Sequence, residues 1–330
     1  MNIPVIEIYD NDRICIAHKQ INIRSNIHFL DKIDTFKQEY LCNIRITSTW
    51  EISKQDQYYT ELLNNKNKET DFNKKEAIFE IMWKPELFFT NIVRTFKEDK
   101  WYKIENINNK LFVTENMNVL GKFSGIFKLN RFPFDIQELN ITLQSRHPSK
   151  ELLILPFGHN YNKFSAKESF KENNEWKIIK DINYIITKTP KEQSSSSTEY
   201  PQITFKFEIK RKSGYYFWNI MFINFLLCLC SFTSFSIDKE YIGDKLNVSS
   251  MTLLTLIAVK FSTSQCIPRV SYLTLLDSYF IFCIFFQMLV IIQNSLHDII
   301  NINNYDTYSI ILLGGILVIF NLYFFIKTKY

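Results

Sequence analysis

Two patterns of hydrophobic and polar residues divide the chain near residue 212. Before that point, apolar residues alternate with polar ones in many short segments. Residues 203–210, for example, place four apolar side chains on one face and polar or charged side chains on the other: Ile203, Phe205, Phe207 and Ile209. Period-two alternation is typical of half-buried antiparallel strands. About ten such segments within residues 1–212 predict an immunoglobulin-like β-sandwich.

After residue 212 the alternation gives way to four apolar blocks, each long enough to cross a bilayer as a helix. The predicted helices are residues 215–237, 245–266, 272–296 and 308–327. The second block is rich in Ser and Thr, which suits a helix with one wet face better than a helix surrounded by lipid. The sequence therefore predicts a β + α membrane protein, with a β-sandwich domain in residues 1–212 and a four-helix transmembrane domain in residues 213–330.

Composition and charge narrow the class of function. The net charge is +5 and no basic stripe is present, so we expect no nucleic-acid partner. The five histidines lack the spacing of metal ligands and no Gly-rich phosphate loop is present. We therefore expect no metal, no cofactor and no enzymatic activity. The six cysteines are interpreted as small apolar side chains, because none shows paired metal-ligand spacing.

Five short features occur in an order that matches one known family. They are the segment NIRITSTW ending at Trp50, MWKPELFFTN at residues 82–91, RFPFDIQ at residues 131–137, the basic Arg211 just before the first predicted helix, and IPRVSYLTLLDSY at residues 267–279. On these features the chain resembles the pentameric ligand-gated ion channels, also called the Cys-loop receptor superfamily. The resemblance extends over nearly the whole chain, from about Ile21 to Phe325.

The resemblance implies an architecture and an activity. Members of the family assemble as a five-fold ring, so a homopentamer or a heteropentamer is expected. A small-molecule agonist binds between adjacent β-sandwich domains and opens a central pore that is lined by the second helix. The chain would be a multi-pass protein in contact with the lipid of the cell membrane, with its N-terminal domain extracellular or periplasmic.

Several departures from the family pattern are visible. Gly125 and Leu139 stand where the two signature cysteines would fall, and the adjacent cysteine pair of some agonist loops is absent. The segment before the last helix is short. These three features resemble bacterial-type members. Ile223 and Asn224 also stand where the family usually has a proline within the first helix.

The second helix supplies the predicted pore. Steps of three and four residues select one face: Asp244, Asn247, Met251, Leu254, Ala258, Phe261 or Ser262, and Gln265. Leu254 and Met251 would form apolar rings that close the pore by dewetting. Asp244 at the inner mouth resembles the acidic ring of cation-selective members, so monovalent cations are the expected permeant ions. Lys245, which follows directly, is expected to face away from the pore. Alternatively, Asp244 only favours the positive end of the helix dipole.

The resemblance gives a weak pattern for the agonist site. Tyr200 matches the aromatic residue at the return end of the agonist-capping loop. The other positions of the family's aromatic box fall near Arg45, Thr90, Arg146 and His147. Two arginines oppose an amine and suit a carboxylate, so an anionic or zwitterionic agonist is expected. The alternative is that both arginines lie on solvated strand faces. A response to protons, or a subunit without a small-molecule agonist, also stays open.

The resemblance also points to residues that would couple the two domains. They are Asp34, Phe132, Pro133, Phe134, Asp135, Arg211, Pro268 and Tyr272. Asp135 and Arg211 are expected to pair in a partly buried junction.

An alternative to an ion channel also stays open, namely a non-conducting receptor or binding protein with a β-sandwich on a four-helix anchor. The Ser- and Thr-rich second helix argues against it, because a membrane anchor does not need a polar stripe.

Overall fold

The computed structural model of the chain describes residues 9–10, 13–14, 19–52, 82–108, 110–157, 163–164, 175–180, 182–190, 192, 197–265, 267, 269–296 and 305–329. The chain divides into two compact units. The first consists of segments 1–126, 138–173 and 178–209, and the second of segments 127–137, 174–177 and 210–330. The second unit therefore takes two pieces from the N-terminal part of the chain that a single boundary near residue 212 would assign to the sandwich.

Thirteen strands are present within the described residues. They are β1 (Tyr9–Asp10), β2 (Arg13–Ile14), β3 (Lys19–Asp34), β4 (Glu39–Glu51), β5 (Leu87–Phe89), β6 (Ile92–Ile107), β7 (Lys110–Ser124), β8 (Ile136–Ser145), β9 (Leu152–Pro156), β10 (Lys163–Phe164), β11 (Trp176–Ile178), β12 (Asn183–Lys188) and β13 (Pro201–Arg211). One sheet has the order β10-β3-β4-β7-β6 with β9 also on β3, and another has the order β11-β13-β8-β5 with β12 on β13. The short β1 and β2 pair with each other.

The core of the sandwich follows directly from the alternation. In β4, β7, β8 and β13, buried positions alternate with half-buried or exposed ones over most of each strand. The rings of Tyr40 and Phe123 stack at 5.9 Å, and Phe207 and Phe89 meet them edge-on. Tyr40 is fully buried, and its hydroxyl donates to the carbonyl of Asn140 at 2.7 Å. Burial raises the pKa of the Tyr40 hydroxyl, so the phenol stays neutral.

Within the described residues, four helices are long and apolar enough to cross a membrane. They are α1 (Gly214–Ser236), α2 (Ile242–Ser264), α3 (Leu275–Leu296) and α4 (Tyr305–Lys329). Within α1, the stretch Phe217–Met221 has π-helical hydrogen bonding and Ser231–Ser236 is a 3-10 turn. The helix bounds differ from the sequence-based ones by up to three residues.

Local side-chain chemistry accounts for the start of α3, which begins at Leu275 and not at residue 272. Thr274 Oγ1 accepts the N–H of Asp277 at 3.1 Å, and the Asp277 carboxylate accepts the N–H of Thr274 at 3.2 Å. This reciprocal pair is a capping box, and it satisfies two of the N–H groups that the first turn of a helix leaves free. Helix α2 begins earlier than expected because a 3-10 turn at Lys239–Tyr241 leads into it.

The helices pack through apolar side chains with a few buried amides between them. Gln287 of α3 is fully buried, and its Nε2 donates to the carbonyl of Leu227 in α1 at 3.1 Å. Asn294 of α3 donates from Nδ2 to Ser249 Oγ in α2 at 2.7 Å and to Ser234 Oγ in α1 at 2.9 Å. Such amides join helices where lipid offers no hydrogen-bond partner. They fix which face of α2 turns toward the other helices.

Candidate functional site: pore face, proline loop and ligand cavity

The face of α2 that the sequence predicts to line a pore is exposed throughout in the isolated chain. Its members are Asp244, Asn247, Met251, Leu254, Ala258, Phe261, Ser262 and Gln265. Met251 is 65% exposed and Leu254 is 68% exposed. The opposite face is covered, with Ser249 and Leu256 fully buried. One side of α2 therefore packs against the other helices. The other side is exposed and carries, from its N-terminal end onward, an acidic residue, then a polar residue, then large apolar residues.

The two charged residues at the start of α2 have opposite surroundings. Asp244 lies in the first turn with its side chain exposed. Lys245 is fully buried and forms an ion pair with Asp306 in the first turn of α4, with Nζ 3.3 Å from Oδ2. The charge on the accessible face of this helix end is therefore the carboxylate.

The segment Phe127–Gln137, which we call the proline loop, belongs to the same compact unit as the helices. Asp135 and Arg211 form a buried ion pair within this unit, with Nε 2.8 Å from Oδ1 and Nη2 3.3 Å from Oδ2. The backbone N–H of Arg211 also donates to the carbonyl of Asp135 at 3.1 Å. Side-chain exposure is 5% for Arg211 and 1% for Asp135, so the pair is shielded from water on nearly all sides.

Aromatic rings enclose the guanidinium of Arg211. Its central carbon lies 4.1 Å from the centroid of Trp176 and 4.9 Å from that of Phe132. Phe132 in turn meets Tyr216 of α1 edge-on at 4.8 Å. A cation–π contact is worth about 2 kcal/mol when the cation is desolvated. The sequence analysis did not identify Trp176, because the strand that carries it, β11, has only three residues and shows no clear alternation.

The proline loop is hydrogen-bonded to the start of α3. The N–H of Leu275 donates to the carbonyl of Asn130 at 3.0 Å, and the N–H of Leu276 donates to the carbonyl of Phe132 at 3.1 Å. The hydroxyl of Tyr272 accepts the N–H of Leu129 at 2.9 Å. Two of these bonds join the loop to the first turn of α3, and the third joins it to Tyr272 just before that helix.

The remaining coupling candidates are placed as follows. Pro133 follows Phe132 through a cis peptide bond, and Phe134 packs against the apolar core of the helices. Pro268 lies outside the described residues. Asp34 belongs to the first unit, where its carboxylate accepts the N–H groups of Phe36 and Lys37 at 2.9 Å each.

A cavity of about 590 Å³ lies within the first unit and includes Arg146 in its lining. It carries basic and acidic side chains together: Lys84, Lys100, Arg146, Glu86, Glu98 and Glu115. Lys100 pairs with Glu98 at 2.7 Å. In the part of the chain that the structure describes, Lys84 and Arg146 form no ion pair. They lie instead over the rings of Tyr102 and Phe88, at 5.2 Å and 5.8 Å.

Glu115 is the buried acid of this cavity. It occupies an inward-facing position of β7 and is only 4% exposed. Burial raises the pKa of its carboxyl, while Lys100 and Lys84 oppose that shift. The Tyr102 hydroxyl is hydrogen-bonded to Glu115. A signal for Glu115 was present in the sequence, because a carboxylate replaces an apolar residue in the alternation Leu111, Val113, Glu115, Met117, Val119.

The other predicted ligand residues do not line this cavity. Arg45 of β4 lies over Trp101 of β6 at 5.4 Å. Thr90 donates from its backbone N–H to the carbonyl of Thr142 at 3.0 Å, and the carbonyl of Tyr200 accepts the N–H of Thr189 at 2.9 Å.

His147 contacts the segment before β5. One ring nitrogen lies 2.8 Å from the carbonyl of Lys84, and the ring lies 5.1 Å from that of Trp83. Of the five residues predicted to bind ligand, the single chain therefore places only Arg146 at the cavity.

Comparison with known proteins agrees with this architecture. Residues 6–213 match the family model of the neurotransmitter-gated ion-channel ligand binding domain. The chain is 20% identical to a gamma-aminobutyric acid receptor subunit beta of Lymnaea stagnalis over 281 residues, covering 84% of this chain and 55% of that protein. It is 24% identical to the gamma-aminobutyric acid receptor subunit epsilon of Rattus norvegicus, covering 87% of this chain and 54% of that protein. It is 22% identical to the receptor subunit rho-3 of the same organism, covering 69% of this chain and 48% of that protein.

The chain spans about half the length of these relatives. The family match covers most of the first unit and ends where α1 begins, and four helices long enough to span a membrane follow it. The matched family consists of ion-channel receptors and not of enzymes. The chain therefore belongs to the pentameric ligand-gated ion channels of the Cys-loop receptor superfamily, with a β-sandwich ligand-binding domain followed by a four-helix transmembrane bundle.

Proposed function

We propose that this chain is a subunit of a homopentameric or heteropentameric channel in which agonist binding between adjacent sandwich domains opens a cation-selective pore lined by α2. The observation that carries the proposal is the two-sided environment of α2. Its buried face is tied to the other helices, while its exposed face runs from an acid through polar residues to large apolar ones. A ring of five such helices turns that exposed face into a channel wall.

Leu254 and Met251 form the proposed gate. Both are exposed in the single chain and lie one turn apart on the same face of α2. In a five-fold ring they would line a narrow apolar segment in which water is unstable, and ions cannot pass without water. Opening then requires only a small widening of the ring.

The chain connections between the two units support a route by which ligand binding acts on the pore. Asp135 directly precedes β8 and Arg211 ends β13, and the proline loop that carries Asp135 is hydrogen-bonded to the start of α3. We assign the coupling role to this chain of contacts. Because α3 also holds α2 through Asn294, displacement of the loop has a route to the pore-lining helix.

The ring of Asp244 carboxylates is the proposed selectivity filter, and replacing Asp244 tests it. Carboxylates at the mouth raise the local cation concentration and repel anions. In a sodium chloride gradient, the wild-type current is expected to reverse near the sodium equilibrium potential. Asp244→Ala is expected to move the reversal potential toward zero, because the field of five carboxylates is removed.

Asp244→Glu is the matched control, because it keeps the charge and should keep the reversal potential. A wild-type reversal near the chloride potential would contradict cation selectivity while leaving the channel itself in place. An unchanged reversal potential in Asp244→Ala would show that another group selects the ion.

The cavity of the first unit supports a ligand that carries a carboxylate. Lys84 and Arg146 line it and form no ion pair in the described part of the chain, and the buried Glu115 lines the same cavity. Gamma-aminobutyric acid, for which the matched relatives are named, carries both a carboxylate and an ammonium. A zwitterion of that kind suits a lining that has cations and an acid together.

Charge removal at Arg146 tests the ligand class. We expect isothermal titration calorimetry to show binding of small carboxylates and zwitterionic amino acids to the purified protein, and no binding of neutral analogues of the same size. Arg146→Gln should weaken binding at least about tenfold, because a hydrogen bond to a charged group is worth roughly 1.5–3 kcal/mol. Lys150→Gln is the control, since Lys150 is exposed and lies outside the cavity lining. Equal binding by both variants would contradict the assignment.

A further inference from the structure

The buried lysine next to the proposed filter has a counter-ion on a different helix. Lys245 follows Asp244 directly but is fully buried, and its Nζ lies 3.3 Å and 3.5 Å from the two carboxylate oxygens of Asp306. The Asp306 side chain is 29% exposed. An ammonium group removed from water without a counter-charge is strongly unfavourable. The pair therefore allows a lysine to lie inside the bundle while still charged.

Hydrogen bonds hold the same turn of α2 in place. The hydroxyl of Ser249 donates to the carbonyl of Lys245 at 2.8 Å, and Asn294 of α3 donates to that hydroxyl at 2.7 Å. Successive residues of a helix point about 100° apart. With Lys245 directed into the bundle, Asp244 is held on the exposed face.

We propose that Asp306 is a positioning residue for ion selectivity, acting through Lys245 on the Asp244 ring. This inference rests on the proposed function, in which five copies of Asp244 surround the inner mouth of the pore. Each of those carboxylates has a lysine as its neighbour in the chain. Asp306 binds that lysine inside the subunit and neutralises its charge, so the mouth presents the field of the carboxylates alone.

The size of the effect follows from Coulomb's law. Five uncompensated lysines within about 10 Å of the pore mouth would cancel much of the attraction of the ring for cations, even with screening by salt. Cation conductance through an Asp306→Asn channel is expected to be roughly two- to fivefold lower than in the parent. A second substitution that removes the lysine charge should restore it.

The test compares four channels: the parent, Asp306→Asn, Lys245→Met and the double variant. Single-channel sodium conductance and reversal potential are recorded in a Leu254→Thr background, so that opening does not depend on the unidentified agonist. We expect low conductance in Asp306→Asn and parental conductance in the double variant. Rescue by removing a second residue separates an electrostatic role from a merely structural one. Asp306→Glu, which keeps the charge, should behave like the parent.

Unchanged conductance in Asp306→Asn, or a double variant no better than that single variant, would overturn the inference. A parent that reverses at the chloride potential would reject the proposed selectivity and this inference with it. A cation-selective parent that is insensitive to Asp306→Asn would reject the inference alone. Thermal unfolding of the same four proteins gives a readout without current, where additive effects of the two substitutions would show that Lys245 and Asp306 do not interact.

Discussion

Leu254→Thr is expected to give channels that conduct without any ligand. The substitution replaces a large apolar side chain with a small hydroxyl at a position that is 68% exposed on the proposed pore face. The apolar surface that each subunit loses contributes on the order of 1 kcal/mol to keeping water out of the closed pore. All five subunits carry the substitution, so the five losses add. The ratio of closed to open channels should therefore fall by more than about tenfold. Current in planar bilayers before ligand addition measures this.

Leu253→Thr is the matched control for that experiment. It makes the same chemical change one position earlier, about 100° around the helix, where the side chain is half-buried. We expect little or no spontaneous current from it. Equal spontaneous current from both variants would show that weakening α2 anywhere opens the channel, and the gate would then not be assigned to Leu254. Silence of both variants in well-formed pentamers would contradict the gate altogether.

Arg211→Met is expected to be the most destabilising single change within the second unit. Arg211 is 5% exposed and carries the ion pair with Asp135 together with contacts to Trp176 and Phe132. Removing it leaves the Asp135 carboxylate buried without its cation, and breaking a buried pair in this way costs roughly 3–5 kcal/mol. The expected result is a large loss of pentamer yield and a lower unfolding temperature in detergent.

Lys210→Met controls for the loss of a positive charge at this position in the chain. Lys210 precedes Arg211 in β13 but is exposed, so the change should stay within about 0.5 kcal/mol. Combining Arg211→Met with Asp135→Asn should recover part of the lost stability, because the unmatched charge is removed. If the double variant is as unstable as the sum of the two single ones, the pair does not hold this region together.

The periodic elements of the fold could be predicted because their causes are local. The alternation in residues 203–210 predicts that β13 buries one face. A charge-free apolar block of membrane-spanning length predicts that α1 is a membrane helix. The ends of the helices were less predictable. The capping box of Thr274 and Asp277 moved the start of α3, and an apolar pattern carries no information about such a cap.

Contacts between distant segments were the part that the sequence could not supply. The partner of Arg211 was foreseen only through the family resemblance, and Trp176, which encloses the same guanidinium, was not foreseen at all. A ligand site that uses Arg45 and Arg146 between neighbouring domains stays a prediction. Within the single chain, Arg45 belongs to β4 and lies over Trp101, while Arg146 follows β8. Asp306 likewise shows no periodic signal that ties it to Lys245, which is 61 residues away.

One measurement tests most directly whether the exposed face of α2 lines an aqueous pore. Leu254 and Ile319 of α4 are 68% and 69% exposed in the isolated chain, so exposure alone does not distinguish them. Cysteine is placed at each position in turn, and a charged thiol reagent is added to pentamers in lipid nanodiscs, with labelling followed by mass. Our account predicts rapid labelling of Leu254→Cys, because the smaller side chain weakens the apolar ring and admits water to the pore, and little labelling of Ile319→Cys, which lies in hydrocarbon. Equal labelling, or labelling of Ile319→Cys alone, would contradict a pore lined by α2.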